Sequence, residues 1–151
     1  MTMKITRSAG VVFLSGVIDE NADFSPLLQE EAPLSLNLSG VERVNSVGLR
    51  SWMRFMVQWG DKTLKYLECP VVVSDQIAII PALRGIKSRS AQVISAMIPY
   101  ECYACQHQED LRVTDSQFSP QPDPKALNPE CPKCKEEMEL VNPGQLSIFE
   151  P

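Results

Sequence analysis

Four of the five cysteines in this 151-residue chain stand in two pairs of equal spacing, Cys102-Tyr-Ala-Cys105 and Cys131-Pro-Lys-Cys134, with the 25 residues Gln106–Glu130 between them. A CxxC turn presents two thiolates from one knuckle, and two knuckles supply the four ligands that tetrahedral zinc takes at about 2.3 Å. With every position filled by protein, the expected site of Cys102, Cys105, Cys131 and Cys134 is structural rather than catalytic. The interval exceeds the usual four-cysteine spacing, and the Pro-rich loop Ser119–Pro129 takes up the excess. A disulfide framework and a thioredoxin-like pair are the alternatives. A reducing cytosol and the lack of a βαβ pattern around either knuckle argue against both. Iron–sulfur binding is a more distant option. A segment this short and polar cannot fold through its own core, whereas zinc supplies on the order of 10 kcal/mol to such modules. His107 follows Cys105 by two residues, but four cysteines already satisfy zinc. Cys69 reads as an inert core thiol.

Elsewhere the chain offers no catalytic arrangement. Its single histidine has no Ser or Cys partner pattern, and G-x-S-x-G, P-loop and H-E-x-x-H motifs are absent. The carboxylates scatter through turns, so no enzyme is expected. Charge divides the chain. Through Pro99, ten Lys and Arg face nine Asp and Glu; from Tyr100 onward, four face ten. An acidic C-terminal third is a poor partner for phosphate backbones, and a nucleic-acid-binding accessory role for the ribbon is the disfavoured alternative. No apolar run approaches the roughly 18 residues of a membrane helix. The N-terminal apolar patch is broken by Gly10 and Gly16 and lacks a cleavage site, so a cytoplasmic protein is expected.

The elements that must position these residues follow from periodicity. Met3–Ser8 alternates and Val11–Ile18 is a β-branched run, which predicts a hairpin turning at Ala9-Gly10. Asn21 or Asp23 caps a short helix over Phe24–Glu30, Pro33 ends it, and Leu34–Leu38 is a strand. Ser46–Trp59 is the clearest helix, with Arg50, Arg54 and Gln58 on one polar stripe. Its apolar arc of Leu49, Trp52, Met53, Phe55, Met56 and Trp59 is wide enough to face a core on two sides or to serve a partner or a second copy, as in a homodimer. Pro70–Val73 predicts a short apolar strand. Asp75 or Ser74 caps a brief helix to about Ala82, and Ser90–Ile98 is a further strand. Such alternation after an opening hairpin implies a mixed β-sheet with helices packed on it, around one core of about a hundred residues.

Gly16-Val-Ile-Asp19, Leu36-Asn-Leu-Ser-Gly-Val41 and Val44-Asn-Ser-Val-Gly-Leu49, in this order and spacing, resemble the STAS domain, whose members include the bacterial anti-sigma factor antagonists. The resemblance covers about Met3 to Ile98. It implies a non-enzymatic signalling adaptor that binds an anti-sigma factor or kinase-like partner. The implied contact region is Val44–Met56, with Asn45, Ser46, Val47, Leu49, Arg50 and Trp52 as contact residues. It also implies phosphorylation at the position of Ser46, although Asn45 stands where the family has Asp and Val47 where it has a second Ser. Some relatives are instead subunits of membrane transport assemblies. Independently of the family, Ser46 at a helix start suits either a phosphate or an N-cap, since both use unpaired N–H groups. The expected organisation is a STAS-like α/β domain over 1–99, a zinc ribbon over 100–141 and a tail over 142–151. The tail is read as a docked strand or a loose end.

Overall fold

The computed structural model describes residues 2–85, 90–118 and 122–150. Strands β1 (Lys4–Ser8) and β2 (Val11–Ile18) pair antiparallel, as the alternating pattern predicts. They turn on Ala9 and Gly10, which both take positive φ. The positive φ values match the right-handed twist of a two-residue hairpin. Strand β3 (Leu34–Val44) then runs parallel to β2, buries Leu34, Leu36 and Leu38 on one face, and extends six residues beyond the expected end. Two parallel additions, β4 (Leu64–Leu67) and β5 (Ala91–Val93), complete a five-stranded sheet in the order β1-β2-β3-β4-β5. The α/β class with a mixed sheet is as expected.

Helix α1 (Ser46–Trp59) has the expected bounds and ends at Gly60, which takes positive φ. Trp52, Phe55, Met56 and Trp59 are all buried. Phe24, carried by the 3-10 turn Ser25–Gln29, stacks near both Trp52 and Phe55. The wide arc therefore faces the core, against the sheet through Tyr66 and against this turn.

Pro70–Val73 is not a strand. Pro70 caps helix α2 (Val71–Ile79), which runs straight on from three valines. The strand of this region is Leu64–Leu67, whose four-residue alternation is too brief to stand out. Valine favours strands locally, but β4 already fills the sheet position. Val73, Ser74 and Ile77 then bury at helical spacing. Ser74 and Asp75 accordingly lie within α2 rather than capping it. The helix gives way at Ile80 to a 3-10 turn over Pro81–Arg84, closed by Gly85.

The strand expected over Ser90–Ile98 is two strands. Ile94 breaks it, donating to the Tyr66 carbonyl and accepting from the Asp115 amide. There the chain leaves the first sheet and enters a second, three-stranded one. Its members are β6 (Ser95–Glu101), β7 (Gln108–Thr114) and β8 (Glu139–Leu140). The expected domain limit at Pro99 falls inside β6. One continuous cluster of buried side chains runs from Val12 through Tyr100, Cys102, Cys131 and Met138 to Phe149, so the core is not confined to the first hundred residues. Polar contacts also join the two sheets. The Glu68 carboxylate accepts from the Arg112 guanidinium at 2.6 to 3.0 Å, and Gln92 donates to Asp115 at 2.9 Å.

Within the loop Ser119–Pro129, the first three residues lie outside the described ones, and Pro124–Leu127 makes one helical turn capped by Asp123. The tail is docked, as a 3-10 segment over Pro143–Phe149 rather than a strand. Burial of Ile148 and Phe149 contributes about 1.5–3 kcal/mol each, with roughly 1 kcal/mol from each hydrogen bond. Ordering seven residues costs about 1–2 kcal/mol apiece. Gain and cost are of one size.

Candidate functional site

The second sheet brings the two knuckles together. The four Sγ atoms all lie within 4.8 Å of one another, with Cys102 and Cys134 at 3.4 Å and Cys105 and Cys131 at 3.6 Å. Sulfurs at about 2.3 Å from a tetrahedral centre stand roughly 3.8 Å apart, so the spacing fits a metal ion and no pair is a disulfide.

The knuckles repeat one local design. The Cys102 amide donates to the His107 carbonyl and the Gln106 amide to the Cys102 carbonyl; the Cys131 amide donates to Glu136 and the Lys135 amide to Cys131. The residue after each second cysteine, Gln106 or Lys135, takes a left-handed φ of 65° or 70°. That conformation is strained for a side chain with a Cβ. Cys102 and Cys131 are buried, Cys134 is half-buried and Cys105 is exposed.

The four thiols perturb one another. Burial opposes ionisation of Cys131, but the Cys134 and Lys133 amides and the neighbouring thiols outweigh it and bring its pKa down to about 6. For Cys134 the Glu136 amide favours the thiolate. The Cys102, Cys105 and Cys131 thiols and burial oppose it more strongly and push it up to about 12. Cys105 is also raised. A bound dication would favour the thiolate form at all four positions. Four thiolates leave no open position, so the arrangement can hold an ion and order its surroundings but not activate a water.

The neighbouring candidates fall outside this cluster. His107 places Nε2 3.6 Å from a Glu109 carboxylate oxygen and is not among the four clustered residues. Cys69 is fully buried, and desolvation, with Glu68 beside it, pushes its thiol well up. It is inert.

At the start of α1 the cap is Asn45, not Ser46. Asn45 Oδ1 accepts the Gly48 amide at 2.8 Å, and Asn45 Nδ2 donates to Glu20 at 3.2 Å. Gly48 is buried against the end of β2, where a Cβ would collide with the Ile18 carbonyl. Asn45, Ser46, Val47 and Arg50 are exposed. Trp52, expected at the contact surface, is 2% exposed and donates its indole N–H to Tyr66 Oη at 3.2 Å. Leu49 is half-buried. Helical periodicity turns both toward the core, so the accessible surface reduces to Asn45–Val47 and Arg50.

Sequence reasoning missed a network under the tail. Gln145, 1% exposed, donates to Ser74 Oγ and to Asp75 Oδ1, and buried Arg84 donates to the Ser147 and Glu150 carbonyls. The only hint was the docking option for Leu146–Phe149. Comparison of the chain with family models, curated proteins and solved structures gives no match.

Proposed function

We propose that this chain is a non-enzymatic, STAS-like signalling adaptor of the cytoplasm. It engages a protein partner through the start of α1 and is buttressed by a structural zinc in the four-cysteine site. The observation that carries the reading is the build of the β3–α1 junction. Asn45 fixes the first turn, Gly48 seats it against β2, and Ser46, Val47 and Arg50 are left facing solvent on a rigid base. Val47, at 42% exposure, offers an apolar contact, and Arg50 adds a charge one turn along. The STAS resemblance supports the same location. Zinc is the ion of choice because four thiolates in a tetrahedral, closed set suit it.

Contact is the primary role of this surface and phosphorylation at Ser46 a secondary one. A phosphate there would gain the helix N-terminus and the guanidinium of Arg50 at i+4, but it would stand beside Asn45-bound Glu20, which opposes it.

Pull-down from native lysate tests the reading. The wild-type chain is expected to retain a partner that Val47→Asp with Arg50→Glu loses, and Ser46→Asp weakens the same complex. Equal recovery by all three baits would refute it.

A further inference from the structure

We infer that the Pro143–Phe149 segment is a clasp on α2 whose hold depends on the four-cysteine site, so that the site controls exposure of the α2 surface. The inference rests on reading the four cysteines as a metal site.

The chain from Cys134 to the clasp is short and held at few points. Between them lie the Lys135 turn, the isolated bridge Glu130–Glu137, the Met138 amide on the Pro129 carbonyl, and β8, which is two residues long. These contacts are made to the second knuckle, to the two residues that precede it, or to β6, which leads directly into Cys102. Loss of the cysteine cluster removes the anchor on the knuckle side and leaves β8 its two-residue pairing with β6, the Val141 amide on the Pro99 carbonyl and the buried Met138. The clasp then hangs from a strand held along one edge only.

The clasp itself holds by reaching across the molecule. Gln145 bonds Ser74 and Asp75 on α2, and Arg84, at the end of the following turn, bonds the carbonyls of Ser147 and Glu150. Phe149 stacks on Phe118 at 5.4 Å. Docking gain and ordering cost are of one size, so loosening β8 is expected to shift the segment toward the lifted state. Beneath it, Ser74 is fully buried and also donates to the Met97 carbonyl of β6. Lifting the clasp would open this polar seam and the apolar side chains of α2 to water.

The turn that the clasp holds also supports the frame of α1. Leu83, next to Arg84, gives its carbonyl to Tyr66 Oη at 2.6 Å, and Tyr66 in turn accepts from Trp52. The 81–84 turn is thus shared between the tail and the helix that carries the proposed contact surface.

Hydrogen–deuterium exchange on the full chain, before and after chelation, tests this, with native mass spectrometry counting the metal in the same samples. Metal removal is expected to speed exchange at least threefold in α2 and in 81–84, leave β2 and β3 within threefold of their starting rates, and reverse when zinc alone is restored. Gln145→Ala with metal retained should speed α2 exchange to the same extent. Three results would overturn the clasp: α2 changing less than threefold while β7 and β8 loosen, β2 and β3 losing protection together with α2, or Gln145→Ala leaving α2 unchanged. These leave the metal reading standing. A folded chain that carries no metal would sink both.

Discussion

Asn45 Oδ1 accepts the Gly48 amide at 2.8 Å, which makes Asn45 the cap of α1 and leaves the Ser46 hydroxyl without a capping duty. Asn45→Ala should therefore lower stability by about 1 kcal/mol, whereas Ser46→Ala should change it by less than about 0.5 kcal/mol. Urea unfolding followed by circular dichroism separates the two; equal losses would return the cap to Ser46.

Gly48 is held by its neighbours rather than by its conformation. A Cβ would strike the Ile18 carbonyl and crowd the Asp19 amide. This peptide unit cannot yield as a flexible side chain would, so Gly48→Ala should cost about 3 kcal/mol, at the upper end of overpacking penalties. A thermal melt within a degree of wild type would show that the β2–α1 contact is looser than described.

Lys135 carries its left-handed φ of 70° at a cost of about 1–2 kcal/mol, part of which glycine's greater unfolded-state freedom would return. Lys135→Gly should therefore raise stability by about 0.5–1 kcal/mol with metal content unchanged. Gly60→Ala, by contrast, should destabilise, since Gly60 has a positive φ of 77° that alanine resists.

Hydrogen bonding from Arg112 holds the Glu68 carboxyl below its usual range. A carboxylate with a lowered folded pKa stabilises the fold above its unfolded value, near 4.5, and loses that contribution as pH falls through the folded value. Both groups are partly exposed, so solvent screening limits the effect to about 0.5 kcal/mol. Wild type should lose slightly more stability than Glu68→Gln between pH 5 and pH 3. Parallel pH profiles would mean that the pair between the two sheets contributes nothing measurable.

The four-cysteine cluster was legible because its signal is local: two equal spacings fix both residue type and geometry within four positions each. Helix α1 was legible because its apolar arc and the polar stripe of Arg50, Arg54 and Gln58 keep one helical period from Ser46 to Trp59. Val71–Val73 misled because valine's strand preference is a weak local prior, overridden once Leu64–Leu67 had entered the sheet. The break at Ile94 depends on which of two sheets each half joins, and no residue nearby announces it. Trp52 sat on the expected contact face only while the partners of α1 were unknown; Phe24 and Tyr66 draw it inward. The clasp joins Gln145 to Ser74 and Arg84 to Ser147, pairs separated by 71 and 63 positions, a distance over which no local pattern operates.

The claim on which the fold and its proposed regulation most depend is that Cys102, Cys105, Cys131 and Cys134 hold one zinc ion. Native mass spectrometry of the purified, reduced chain should find one zinc per molecule, lost to a strong chelator and lost equally in Cys105→Ser and Cys131→Ser. A folded, metal-free chain with four titratable thiols, or with Cys102–Cys134 and Cys105–Cys131 disulfides, would contradict it.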